Sequence, residues 1–170
     1  MNPNINQCAL AVCVFAYVAL APASHANNTC DALYQAGIKS VQTPHHVYST
    51  TTLRDGRPQT GEAVYAGGVE YLLFHGKWMR SPMSQQAMLE GAQDKLKTHP
   101  DICTLVGKQT VDGQLVSVYE VHNNEAGTDQ MVRILDASGL MQGSTLTLPN
   151  HSVVETRYDY ANVQAPTGVQ

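Results

Sequence analysis

The chain has 170 residues, with 10 Lys and Arg against 14 Asp and Glu and a net charge of −4, one domain's worth of sequence with a mildly acidic balance. Its Lys and Arg stand singly, with no basic run, so nucleic-acid binding has no electrostatic footprint. Beyond the N-terminal segment, no apolar stretch approaches the length needed to span a bilayer.

Cys8 to Ala21 is an uncharged apolar run of signal-peptide length, broken by Pro22, and Ser24-His25-Ala26 offers small residues for a signal peptidase. Residues 1–26 are therefore expected to be a signal peptide, although the preceding residues contain no Lys or Arg. An exported domain over 27–165 and a flexible tail over 166–170 follow, in the periplasm or secreted. The expected domain keeps two of the four cysteines, Cys30 and Cys103. In an oxidising compartment these most simply form one disulfide, worth about 4 kcal/mol by loop entropy, the alternative being a pair of buried thiols. There is no CxxC, which leaves a thioredoxin-like role unsupported.

Asn28-Thr29 offers a helix cap, and Cys30–Val41 follows as a helix with Ala32, Leu33, Ala36 and Val41 on one face. Thr43-Pro44 ends it. His46–Leu53 reads as a β-branched strand, and Thr60–Ala66 and Val69–His75 flank the hairpin dipeptide Gly67-Gly68. A short strand around Trp78 and Met79 leads to Ser84, which can cap a helix over Gln85–Thr98 with the stripe Met88, Leu89, Ala92 and Leu96. Lys95 and Lys97 complement the dipole in its last turn, and Pro100 stops it.

From Cys103 to Tyr160 the chain reads as a β-meander. Its strands are Cys103–Val111, Gln114–His122, Asp129–Asp136, Leu140–Leu148 and Ser152–Tyr160, with turns at Asp112-Gly113, Asn123–Gly127 and Ala137–Gly139. The apolar set alternates (Val116 and Val118; Val132 and Ile134; Val154, Tyr158 and Tyr160) against Ser117, Arg133, Glu155, Arg157 and Asp159. We expect one buried face, covered by the two helices. The fold class is thus α+β, a curved antiparallel sheet of half-barrel type with about two helices on its concave face.

An opening helix that ends near a proline, a hairpin-rich sheet, Gly76-Lys77-Trp78 ahead of a capped helix, and a meander closing on Arg157-Tyr158-Asp159-Tyr160 together resemble the LolA-like superfamily of periplasmic carriers, over most of residues 28–163. The resemblance implies an unclosed half-barrel with a helical lid, binding acyl chains or other apolar ligands in its concavity. It places no functional residue by motif.

His45-His46 draws the eye, but adjacent strand residues point to opposite faces and cannot readily share one metal, so a solvated pair is the plainer reading. His75, His99, His122 and His151 fall at turns or strand ends, with no HxH, HExxH or Cys/His cluster, so neither metal nor other cofactor is expected. Without GxSxG, the serines lack a nucleophile context, and Asp129, Asp136, Asp159 and Glu155 read as a solvated face. No catalytic residues are assigned. Tyr65, Tyr71, Phe74, Trp78, Met79, Met88, Leu89 and Tyr158 are the expected cavity lining, with core packing as the alternative for each. The expected function is non-catalytic binding or carriage of a lipid or other apolar ligand, with the helix at Gln85–Thr98 as a movable lid. The alternative is an envelope protein-interaction module with a filled core, on a cystatin-like or nuclear-transport-factor-like frame.

Overall fold

The computed structural model describes residues 29–98, 101–123 and 126–170. The expected signal peptide, His99, Pro100 and part of the turn Asn123–Gly127 lie outside the described residues. Helix α1 spans Thr29–Gln42 and leads into strands β1 (His45–Thr52), β2 (Pro58–Ala66), β3 (Val69–Phe74) and β4 (Lys77–Ser84). Helix α2 (Gln85–Thr98) precedes β5 (Asp101–Val111), β6 (Gln114–Asn123), β7 (Thr128–Leu135), β8 (Met141–Thr147) and β9 (Val153–Asp159).

All nine strands form one open antiparallel sheet in the order β4-β3-β2-β1-β9-β8-β7-β6-β5. Every pairing joins chain neighbours except the seam between β1 and β9, where His46 faces Asp159 and Thr52 faces Val153. The meander of 103–160 is therefore one half of the sheet, and β1–β4 form the other half. Three hairpins turn through two residues of positive φ, at Gly67-Gly68, His75-Gly76 and Asp112-Gly113. That handedness matches the twist of the flanking strands, which is why these dipeptides set the register.

The helices lie on one face, the inner face. Leu33 and Ala36 of α1 pack with Tyr119 and Val121 of β6 and Val132 and Ile134 of β7, and Cys103 and Met141 border this cluster. The Cys30–Cys103 disulfide ties the first turn of α1 to β5, with 5.1 Å between the Cα atoms. At the other end of α1 three hydrogen bonds close a ring. The Met141 N–H donates to Ser40 Oγ (3.2 Å), Ser40 and the Tyr160 hydroxyl share the next bond (3.0 Å), and Tyr160 donates to the Met141 carbonyl (2.8 Å). The buried side of α1 runs through Cys30, Leu33, Tyr34, Ala36 and Ser40, while Ala32, expected on that side, is exposed.

Helix α2 begins as its cap predicts, with the Ala87 N–H on Ser84 Oγ at 3.1 Å. Met88, Leu89, Ala92 and Leu96 form its half-buried stripe, yet none of its residues is fully buried. Gln85 Nε2 donates to the Val41 carbonyl (3.2 Å), joining the start of α2 to the end of α1.

One expectation is corrected by the register. Val118 pairs with Arg133, whereas Val132 pairs with Tyr119, so Val116 and Val118 lie on the outer face, opposite Val132 and Ile134. Val116 is 0% exposed, and Val64, also on the outer face, is 4% exposed. Both faces therefore carry buried apolar patches. Alternation within a strand sets that strand's own phase; only register relates one strand's phase to the next.

Candidate functional site

Between α1, α2 and the inner face of β5–β8 lies a cavity of about 290 Å³. Its apolar wall comes from Leu33 and Val41 of α1, Ala92 of α2, and Val121, Val132 and Met141 of the sheet. Small residues make the space: Gly37 on α1 and Gly91 with Ala92 on α2 all line it. A Cβ on Gly37 would stand 3.6 Å from the Met141 methyl, and one on Gly91 would meet nothing within 4 Å. Glycine inside a helix costs roughly 1 kcal/mol relative to alanine. Two such residues on helices that share a cavity are a signal that sequence reading could have used.

The polar end of the cavity carries Tyr34, Asp101 and Lys95. The Tyr34 hydroxyl donates to Asp101 Oδ2 at 3.2 Å, and Asn123 Nδ2 donates to Oδ1 at 2.6 Å, so this carboxylate is held where β5 begins. Burial pushes the Tyr34 phenol above its usual range; the Asp101 backbone N–H opposes the shift and the Asp101 carboxylate adds to it.

Beside the cavity, under the end of α1, an aromatic cluster surrounds His45. This ring stacks on Tyr65 at 5.3 Å and leans on Tyr158 and Tyr160 at 5.6 and 5.8 Å. His45 is buried, which overturns the reading of His45-His46 as a solvated pair. Its Nδ1 lies 2.7 Å from the Thr43 carbonyl, and only a protonated nitrogen can serve there, so Nδ1 carries the hydrogen. Burial lowers its pKa, and its backbone partners oppose that shift. Burial likewise raises Tyr158 and pushes Tyr160 up to about 12. The buried Tyr65 hydroxyl has no hydrogen-bond partner.

The eight residues expected to line a cavity are dispersed. Tyr65 and Tyr158 meet in the His45 cluster. Phe74 (60% exposed) and Met79 (45%) sit on the inner face near the β3–β4 turn, beyond the helices. Tyr71 and Trp78 share the outer-face phase of Val64 and Leu73, with the Trp78 ring edge-on to His46 at 6.3 Å. Met88 and Leu89 are half-buried on α2. None of the eight lines the 290 Å³ cavity. Aromatic content marks where a chain can be sticky, while a void is made by small residues facing each other across a fold.

Among the described residues, the other histidines do not converge. His46 Nε2 reaches Glu62 at 3.2 Å and its Nδ1 the Tyr48 hydroxyl at 3.0 Å. His122 bonds Asp129 at 2.6 Å, and His75 and His151 occupy turns at positive φ. Asp136 is taken up by Lys108 and Ser117, which hold its carboxyl below the usual range. Among the described residues, no three His, Cys, Asp or Glu side chains are grouped to hold a metal, and no helix is long and apolar enough to cross a membrane.

No protein-family model matches the chain, and no curated protein matches it either. Among solved structures, the fold is similar to MucB in complex with MucA(peri), at 17% identity and a TM-score of 0.50, over 82% of this chain and 60% of that one. LprF from Mycobacterium bovis is matched at 10% identity and a TM-score of 0.45, over 83% of this chain and 97% of that one. A LolA superfamily protein from Nitrosomonas europaea is matched at 7% identity and a TM-score of 0.32, over 77% and 91%. The likeness is one of fold: an open antiparallel sheet carrying helices on one face. The chain spans about 60% of the MucB length.

Proposed function

We propose that the protein is an exported, non-catalytic binder of an apolar ligand such as a lipid acyl chain, held in the cavity between the two helices and the sheet. The observation that carries this reading is the cavity itself: about 290 Å³ with a mostly apolar wall, beneath a helix that buries none of its own residues. That volume is near the lower end of the roughly 300–1,000 Å³ of small-molecule sites. It suits a single chain of moderate length, with the ligand's polar end toward Lys95 and Asp101. A helix with so little buried surface is easily displaced, which supports α2 as the lid. The disulfide supports an oxidising compartment outside the cytoplasm.

A second reading, assembly with an envelope protein, is favoured by two observations. The solved structure with the 0.50 TM-score is a complex, MucB with MucA(peri). The inner face beyond the helices also exposes Leu72, Phe74 and Met79, a contiguous apolar surface of the kind that marks interaction sites.

Native mass spectrometry of the protein from periplasmic extract, followed by lipid extraction, separates the two. A stoichiometric co-purifying acyl species is the expected result, lost in Ala92→Trp, whose ring would fill the cavity. A bare protein mass, with no uptake of a fluorescent fatty acid, would overturn the carrier reading and leave the protein-binding one.

A further inference from the structure

A second cavity, about 650 Å³, belongs to neither helix. Its lining includes Tyr48 and Thr50 of β1, Arg133 of β7, Thr145 of β8, and Glu155 and Arg157 of β9. By register, Arg133, Gly143, Arg157 and Tyr48 form one row across four neighbouring strands. Arg133 shares the phase of Val118, so this row lies on the outer face.

We propose that this row is a second binding site, for a singly charged oxyanion of the phosphodiester class carried on a polar ligand. Both arginines line this one cavity. Arg133 Nη2 lies 2.9 Å from where a Cβ on Gly143 would stand, so the space a side chain would fill between the two arginines is occupied from one side by a cation. Glycine is required there in any case, because the same Cβ would meet the Thr156 carbonyl oxygen at 2.5 Å. Further along the row, Arg157 lies over the Tyr48 ring at 4.9 Å, on the side of β9 away from Gly143. That ring is fixed in turn, through its hydroxyl to His46 and through His46 to Glu62. One cation is thus positioned before any ligand arrives, which lowers the ordering cost of binding.

Neither arginine is neutralised. Among the described residues, no carboxylate lies within ion-pair distance of Arg133 or Arg157, although Glu155 and Asp159 flank Arg157 two residues away on the same face. Two cations lining one cavity without an ion-paired carboxylate favour an anion within it. Planar guanidinium forks match phosphate oxygens in pairs, as a lysine cannot. Gln142 lines the same cavity, and its buried Oε1 has no partner. Its amide, turned either way, offers a donor or an acceptor to a polar ligand. Glu155, Asp159 and Asp112 at the walls limit the charge the site accepts. A dianion would be repelled, whereas a diester with a neutral hydroxylated body would place its one charge between the arginines and its hydroxyls toward the carboxylates.

The test is an amide NMR titration of the disulfide-bonded protein with dimethyl phosphate, repeated with Arg133→Gln and Arg157→Gln and with Lys77→Gln as a remote control. We expect saturable shifts centred on Arg133, Gly143 and Arg157. Each arginine substitution should weaken binding about tenfold or more, and Lys77→Gln should leave it unchanged. Vesicles of phosphatidylglycerol against phosphatidylcholine then separate the sources. Arginine-dependent binding to the former assigns a lipid head group; saturable dimethyl phosphate binding without it assigns a soluble phosphodiester. Shifts that do not saturate, or that spread over exposed Lys and Arg alike, would overturn the proposal from the wild-type titration alone.

Discussion

Replacing Cys30 and Cys103 together by serine removes the covalent tie between α1 and β5. The loop it closes has a sequence separation of 73. Loop-closure entropy for that length, −2.1 − 1.5R ln n, comes to about −15 cal/mol/K, or about 4 kcal/mol near room temperature. α1 is still held by the packing of Leu33 and Ala36, the Ser40–Tyr160–Met141 ring, Tyr34 on Asp101 and Gln85 on Val41, of which the substitution alters only the Cys103 edge of the packed cluster. The whole loss should therefore appear as global stability rather than as a detached helix. With a urea slope of about 2 kcal/mol/M, the midpoint should fall by about 2 M, and the melting temperature by about 10 °C. Urea unfolding followed by far-UV circular dichroism, with and without a reductant and on the serine pair, makes the measurement. A shift below about 0.5 M would refute the loop-entropy reasoning. A two-step transition would refute the claim that α1 and the sheet unfold together.

Ser84→Ala removes the oxygen that caps α2 and should cost about 1 kcal/mol. Because α2 buries none of its residues, much of that loss should appear as faster amide exchange in 85–90, measurable by hydrogen exchange, and protection equal to wild type would contradict it. His45 has its pKa lowered by burial, so the unfolded chain binds its proton more readily. Its contribution is fully present above about pH 6.5 and falls as the pH drops toward the lower folded-state value. In His45→Phe, the pH dependence of the urea midpoint between about 5 and 7 should flatten; an unchanged slope would assign that dependence to other groups.

The parts of this fold that were legible in the sequence are the local ones. Gly67-Gly68 and Asp112-Gly113 specify turns by their own conformational freedom, Ser84 caps the helix it precedes, and two cysteines in an expected exported chain have one simple pairing. What stayed hidden depends on relations between distant segments. The insertion of β9 between β1 and β8 leaves no mark in either strand's composition. The outer-face burial of Val116 depends on which residue of β7 faces Val118. The candidate cavity was missed for a related reason: the reading sought bulky apolar residues, whereas the space lies where Gly37 faces Gly91 and Ala92. His45 escaped because a histidine at a strand start looks solvated until three tyrosines from β2, β9 and the residue after β9 close around it.

The seam between β1 and β9 also sets a timetable. Strands β1–β4 and β5–β9 are each built from neighbours in the chain, so each can zip up locally, but the two halves become one sheet only when the final strand has arrived. Until then β1 presents a free edge of backbone donors and acceptors, and forming the seam brings together residues more than a hundred positions apart. Contacts of that span make folding slow, and an open strand edge during the wait invites pairing with the wrong chain. A version cut short before Val153 would keep every hairpin except β8–β9 and could not join its two halves into one sheet, leaving only α1 and its disulfide to connect them. This protein should therefore fold slowly, with β1 open to mispairing while it waits for its partner.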